Sequence, residues 1–159
     1  MTRHRRRAFS YWPAAAAIAL ATALTLNSLA ESNSALEVVR LQTSDLDGKG
    51  LRPVATVEPH VTLIEGSGSG AVEVPRYKSV DGLLEASVKK YERITLELRN
   101  WPIDEVMYFV KGNVELTDAS GKSQVYGPGD AIVIPRGFSG RWRQLNSIEM
   151  FTVTYGVWK

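Results

Sequence analysis

Apolar and polar residues alternate along the second half of the chain with the period of two that is typical of β-strands. Residues 92–99 divide into an apolar and a polar face, Ile94, Leu96 and Leu98 against Thr95, Glu97 and Arg99. Residues 105–110 also divide by parity, but both faces are largely apolar. This second pattern predicts a strand that lies between a barrel interior and a further covering layer.

Turn signals cut the stretch 101–151 into short apolar runs. They are Lys111-Gly112-Asn113, Asp118 to Lys122, Gly127 to Asp130 and Pro135-Arg136-Gly137. Gly supplies positive φ and Pro presets φ, so each cluster favours a turn. The intervening runs suit strands and are too short for helices. The pattern therefore predicts an all-β sandwich or barrel.

Two motif spacings carry a resemblance to a known family. Six residues separate Glu105 from Gly112, as at the end of the first cupin motif, and Gly129, Pro135 and Gly137 are spaced like the start of the second. The linked features W-P-x-D-E at 101–105 and P-R-G-F-x-G-x-W at 135–142 resemble small single-domain cupins grouped with the cupin domain of ureidoglycine aminohydrolase, in the RmlC-like superfamily. The resemblance implies a cupin double-stranded β-helix, or jelly-roll barrel, which we place at residues 54–159.

The residues that normally hold metal in cupins are missing from these motifs. The first motif normally carries two His before the Glu, where residues 98–101 are Leu, Arg, Asn and Trp, and the second carries a His at the position of Gly140. From Glu31 onward the chain has one His, His60, which lies outside both motifs. Because one His forms no cluster, we expect no metal ligands and no cofactor.

The N-terminal segment 1–30 reads as a secretory signal. A basic run at Arg3 to Arg7 precedes a 13-residue apolar segment, Ala14 to Leu26, and Ala30 ends a small-residue cleavage site. Arg6-Arg7-Ala8-Phe9 fits a twin-arginine signal as well as an Arg-rich Sec signal. We expect cleavage after Ala30 and a periplasmic or secreted product without stable membrane insertion; the alternative is an inner-membrane anchor.

Removing this segment changes the charge of the chain. The sequence has 19 basic and 17 acidic residues, and the segment 1–30 holds four Arg and no acid, so the remainder has 15 basic and 17 acidic residues. This acidic balance argues against nucleic-acid binding. There is no Cys and therefore no disulfide. Residues 31–53 are expected to form an arm that packs on the barrel or on a partner subunit in a homodimer.

Glu105 is the strongest candidate for a catalytic or ligand-binding residue. The family position places it on a barrel strand facing the cavity, where burial disfavours the charged form of a carboxylate and suits a general acid or base or a ligand acceptor. The alternative is a carboxylate paired with an Arg such as Arg99, Arg136 or Arg143. Trp101, Phe138 and Trp142 are expected to line the cavity; alternatively, Trp142 fills it. Arg136 is either a contact for an anionic ligand or an exposed turn residue.

These observations favour an exported, metal-free cupin that binds a small polar or sugar-like molecule near Glu105. Whether it catalyses a reaction stays open, with a non-catalytic role favoured. The family resemblance implies a second possibility, a manganese-dependent hydrolase acting on a small ureido compound. A third is a structural module that dimerises through its sheet edges and its N-terminal arm.

Overall fold

The computed structural model describes residues 37–54, 59–67 and 70–157. They form one 3₁₀ turn, Thr43–Asp47, and the strands β1 Arg52–Pro53, β2 Val61–Glu65, β3 Val72–Lys78, β4 Leu84–Tyr91, β5 Thr95–Leu98, β6 Asp104–Lys111, β7 Val114–Asp118, β8 Ser123–Tyr126, β9 Ala131–Ile134, β10 Gly140–Gln144 and β11 Ile148–Tyr155. Strands end where the turn residues predicted them to end, because Gly or Pro occupies most of the connections.

The described strands form two antiparallel sheets. One has the order β1-β3-β4-β11-β6-β9, and the other has the order β2-β5-β10-β7-β8. Both sheets contribute to one buried apolar cluster, in which the rings of Phe109 from β6 and Trp142 from β10 lie 6.2 Å apart. Strands that follow one another in sequence often lie in different sheets, as in a jelly roll. The predicted all-β double-sheet fold is confirmed.

Strand parity is confirmed on β6 and β10, whereas on β5 Thr95, which was predicted on the polar face, is also buried. On β6, Glu105, Met107 and Phe109 are buried, whereas Val106 and Tyr108 are exposed by 45% and 43%. The expectation of a covering layer over this outer face is therefore wrong for the described part of the chain. The outer residues are apolar, but no described element packs over them, and the homodimer stays a prediction.

The described part of the N-terminal arm packs against the first sheet. The 3₁₀ turn Thr43–Asp47 contacts β3 and β4, and Asp45 Oδ2 lies 3.3 Å from Arg76 Nε. Arg52–Pro53 then pairs with β3 as a short antiparallel strand. The predicted signal at 1–30, the start of the arm and residues 55–58 lie outside the described residues. Among the described residues, no helix is long and apolar enough to cross a bilayer.

Gly112 joins β6 to β7 in a space that admits no side chain. Its φ is +78°, and a Cβ there would overlap the carbonyl oxygen of Ser147 and lie 2.7 Å from Asn146 Oδ1. The same Asn146 oxygen accepts a 2.8 Å hydrogen bond from the backbone N–H of Asn113. The Gly of the first cupin motif is therefore required by both its backbone conformation and its neighbours.

We expect Gly112→Ala to lower the free energy of unfolding by about 2–4 kcal/mol, because it combines positive φ with a steric overlap. Gly121→Ala is the matched control, since Gly121 has a φ of +86° but no neighbouring atom within 4 Å of its Cβ position. Gly121→Ala should lower the free energy of unfolding by only about 1 kcal/mol. Urea unfolding followed by tryptophan fluorescence measures both. Equal losses in the two variants would contradict the steric explanation.

Candidate functional site

A cavity of about 550 Å³ lies between the two sheets. Inward residues of the first sheet give it a polar wall: Glu73, Glu85, Ser87, Lys89, Tyr91, Glu105 and Thr154. The second sheet and the segments beside β5 and before β6 give it an apolar wall: Val61, Leu63, Ile94, Leu96, Leu98, Trp101 and Trp142. The cavity therefore has one face that can hydrogen-bond and one that can pack against hydrocarbon or aromatic groups.

Glu105 is held by an ion pair deep in the polar wall. Its Oε1 accepts a hydrogen bond from Lys89 Nζ at 3.2 Å, and both side chains are buried, with 3% and 8% exposed. Lys89 Nζ also lies 3.8 Å from Glu73 Oε2. The register places Lys89 on β4 directly opposite Glu73 on β3, and the long Lys side chain reaches across β11 to β6.

The partner of Glu105 differs from the one that the sequence suggested. The sequence suggested that the partner would be Arg99, Arg136 or Arg143. The prediction of a cationic partner is correct, but the cation is none of these three residues. The cation is Lys89, which sequence reasoning missed. A Lys in a strand is usually exposed. The available signal was parity, since Lys89 shares the inward face of β4 with Ser87 and Tyr91.

Arg52 extends this charge network toward the more exposed end of the cavity. Its Nε lies 2.8 Å from Glu73 Oε1, and its guanidinium lies 2.7 Å from Glu85 Oε1. Half of the Arg52 side chain is exposed, so water screens these pairs more than the buried pair. The network fixes the carboxylate of Glu73 between a buried and a half-exposed cation.

Electrostatics in the cavity keep Lys89 charged and Tyr91 neutral. Burial lowers the pKa of Lys89, but its interactions with Glu105, with the neighbouring Tyr91 and with Glu73, together with the hydrogen bond to Glu105, raise it more, so the net shift is upward. Burial raises the pKa of Tyr91 to about 12; nearby Lys89 opposes this shift, and Glu105 and Glu73 add to it. The wall therefore presents the ammonium of Lys89 and the phenol of Tyr91 at neutral pH, beside the carboxyl groups of Glu73, Glu85 and Glu105.

Trp101 and Trp142 lie where the sequence placed them, against the cavity. Trp142 is buried, and its Nε1 donates to the side-chain oxygen of Gln144 at 3.1 Å when the Gln144 amide is oriented to satisfy its neighbours. The amide nitrogen then donates to the carbonyl oxygen of Glu92 at 2.6 Å. Trp142 forms part of the wall of the cavity and does not fill it.

Arg136 and Phe138 do not join this site. Arg136 is exposed, and its backbone N–H donates to Asp104 Oδ1 at 2.9 Å, which ties the turn after β9 to the start of β6. Phe138 lines a separate cavity of about 220 Å³ with Leu116 and Tyr126. Both residues lie on the turn that joins β9 to β10. The path of this turn keeps their side chains out of the lining of the large cavity. The structure therefore brings Trp101, Glu105 and Trp142 to one cavity and does not place Arg136 and Phe138 in its lining.

The residues do not fit the metal centre that cupins usually carry. Leu98 pairs with Gly140 across β5 and β10, at the positions where the family motifs would place His. A Cβ at Gly140 would overlap the carbonyl oxygen of Thr117 and lie 2.8 Å from Phe138 Cζ, so the backbone leaves no room for a side chain there. The described residues contain no group of three or more His, Cys, Asp or Glu side chains placed to hold a metal ion. Glu105, the remaining motif ligand, already binds Lys89.

His60 makes a structural contact at the start of β2. Its Nδ1 lies 2.9 Å from the carbonyl oxygen of Arg99. This contact ties the His60 ring to the backbone outside both cupin motifs.

We expect Lys89→Met to lower the free energy of unfolding by about 3–5 kcal/mol, because it leaves Glu105 and Glu73 buried with less compensating charge. The double variant Lys89→Met/Glu105→Gln should recover part of this loss. Lys111→Met is the matched control, because Lys111 is exposed and pairs with Glu149 at 3.3 Å on the surface, so it should cost less than about 1 kcal/mol. Denaturant unfolding of these variants, Glu105→Gln and the wild type measures the coupling. Strictly additive losses would contradict a direct interaction between Lys89 and Glu105.

Comparison with known proteins identifies similar domains and similar folds. Residues 98–149 match the model of the EutQ-like cupin domain. No curated protein matches the sequence significantly. Among solved structures, a protein of unknown function from Pseudomonas syringae pv. tomato matches with a TM-score of 0.54 and 19% identity, over 65% of this chain and 43% of that one.

Two further solved structures are similar over part of the chain. The EutQ protein of Clostridium difficile has a TM-score of 0.46 and 18% identity, over 55% of this chain and 66% of that one. A cupin superfamily protein from Desulfitobacterium hafniense has a TM-score of 0.46 and 14% identity, over 59% and 84%. None of these findings supports the finer resemblance to ureidoglycine aminohydrolase. The described part of the chain therefore has a cupin fold, and its segment 98–149 is similar to the EutQ-like cupin domain.

Proposed function

We propose that this cupin domain is an exported binding module that takes up a small molecule in the cavity between its sheets. The observation that carries the proposal is the cavity of about 550 Å³ with a buried Lys89–Glu105 pair on one wall and Trp142 on the other. Its volume falls within the range of roughly 300–1,000 Å³ that is usual for small-molecule sites. A polar group of the ligand would face Glu105 and Lys89, and its less polar side would pack against the aromatic wall.

The polar wall offers several kinds of hydrogen-bonding group to such a ligand. Glu105 supplies acceptor oxygens, Tyr91 a protonated phenol, and Ser87 a hydroxyl that already hydrogen-bonds Thr152 at 3.0 Å. Ser87 and Tyr91 lie on β4 and Glu105 lies on β6, on either side of β11, and all three border the same cavity. The sugar-like ligand expected from the sequence is one member of the class of polar molecules with a less polar face.

Binding is favoured over catalysis by the state of Glu105. Its carboxylate is engaged with a cation that stays protonated at neutral pH, so it is poorly placed to exchange a proton with a substrate. Among the described residues, the cavity lining contains no His or Cys to act as a base or nucleophile. The described residues contain no group of three or more His, Cys, Asp or Glu side chains placed to hold a metal ion, so they offer no support for the metal-dependent hydrolase alternative.

Ligand binding should perturb the two methionines that line the cavity. Met107 and Met150 both border it, and the chain has three Met in all, so their methyl signals are few and specific. We expect small polar fragments to shift these signals in a protein with ¹³C-labelled Met methyl groups. Glu105→Gln should weaken the fragments that bind by at least about tenfold, or about 1.4 kcal/mol.

Glu149→Gln provides the control, because Glu149 pairs with Lys111 on the surface and does not line the cavity. It should leave fragment affinities unchanged. A diverse library of polar fragments that shifts neither methyl signal would overturn the proposed binding function. Equal weakening by both substitutions would show that the fragments bind elsewhere.

Export of the domain rests on the sequence of its N-terminal segment 1–30. Expression of the full gene in a bacterium with both export routes should yield a periplasmic protein whose intact mass begins at Glu31. Replacing both Arg6 and Arg7 with Lys should block export through the twin-arginine route and leave Sec export intact. A full-length mass in the membrane fraction would favour the anchored alternative, and a full-length cytoplasmic protein would contradict export.

A further inference from the structure

The charges buried in the polar wall are unbalanced. Lys89 is the buried cation among the described residues of the cavity lining, whereas the side chains of two carboxylates, Glu73 and Glu105, are only 10% and 3% exposed. Arg52 also contacts Glu73, but half of its side chain lies in solvent, so its charge is screened. Glu85 is paired at the more exposed end, by Arg52 and by the exposed Lys78. The inner part of the cavity therefore holds a surplus of negative charge.

Glu105 also keeps an acceptor that no described residue uses. Its Oε1 binds Lys89, but its Oε2 accepts no hydrogen bond from the described residues. The residue is only 2% exposed and it lines the cavity. This oxygen is not one of the fully buried side-chain atoms that lack a partner, so it borders the open space of the cavity. A donor group entering from the cavity could therefore hydrogen-bond to it directly.

The opposite wall suits a cation with an apolar body. Trp101 and Trp142 border the same cavity, beside the aliphatic side chains of Leu96 and Leu98. Aromatic faces attract ammonium and guanidinium groups, most strongly where water is excluded. Glu73 and Glu105 share one buried ammonium, so a cationic ligand would be attracted to this wall and an anionic ligand would be repelled by it.

On the basis of the cavity-binding function proposed above, we infer that the ligand is a small organic cation. A protonated amine, amidine or guanidine group donates to Glu105 Oε2, and the apolar body of the ligand lies between this wall and the rings of Trp101 and Trp142. The sequence predicts a small polar or sugar-like ligand, and this assignment specifies that the polar ligand carries a positive charge. Lys89 then orients Glu105 and leaves the second oxygen of its carboxylate for the ligand.

Three probes of similar size and different charge test this inference on the wild-type protein. They are phenethylammonium, phenethyl alcohol and hydrocinnamate, measured by calorimetry and by the Met107 and Met150 methyl signals. We expect phenethylammonium to bind at least about tenfold more tightly than the other two, and added salt to weaken only the ammonium probe. Glu105→Gln should remove this preference, whereas Glu149→Gln should preserve it.

The outcomes separate this inference from the function on which it rests. If the alcohol or the carboxylate binds as tightly as the ammonium probe and shifts the methyl signals, the cationic ligand is overturned and the binding cavity stands. If none of the three binds while other polar fragments do, the cationic class is again overturned. If the ammonium preference persists in Glu105→Gln, the cation is bound elsewhere and the assignment to Glu105 is wrong. The comparison of probes on the wild type holds even if the variant does not fold.

Discussion

Lys89 and Glu105 bring opposite charges together inside a β-barrel, and the arrangement of the polar wall depends on their contact. Neither group is accommodated in an apolar interior alone, because desolvation of an isolated charge costs several kcal/mol. The two residues lie on β4 and β6, which are separated by β11. The pair therefore holds three neighbouring strands in one register, with the hydroxyls of Ser87 and Thr152 bonded between them.

The two sheets have different roles around the cavity. The first sheet turns carboxylates, an ammonium and hydroxyls inward, while the second turns Leu, Ile and Trp side chains inward. The cavity of about 550 Å³ lies between these two walls. The result is an amphipathic pocket of the kind that orients a small molecule by one end.

This cavity departs from the usual cupin metal site at the level of the backbone. Gly140 is packed against the carbonyl oxygen of Thr117 and the ring of Phe138, so substituting a single His would displace its neighbours. The Glu of the motif survives as Glu105, but it binds an ammonium in place of a metal ion. The carboxylate at this barrel position therefore still faces a cation, which here is the ammonium group of Lys89.

The amino-acid sequence by itself determined the strands, the turns and the inward faces. The period of two in β5 and β6 and the Gly and Pro clusters between strands are local signals, because they depend on neighbouring residues and backbone preferences. The buried positions of Glu105, Trp101 and Trp142 followed from parity and motif position. Only the tertiary structure decided which partners these residues meet. Lys89 pairs with Glu105 through the register of three strands, and the path of the turn after β9 carries Arg136 and Phe138 away from the cavity, since long-range pairing and loop direction leave no periodic signal in the sequence.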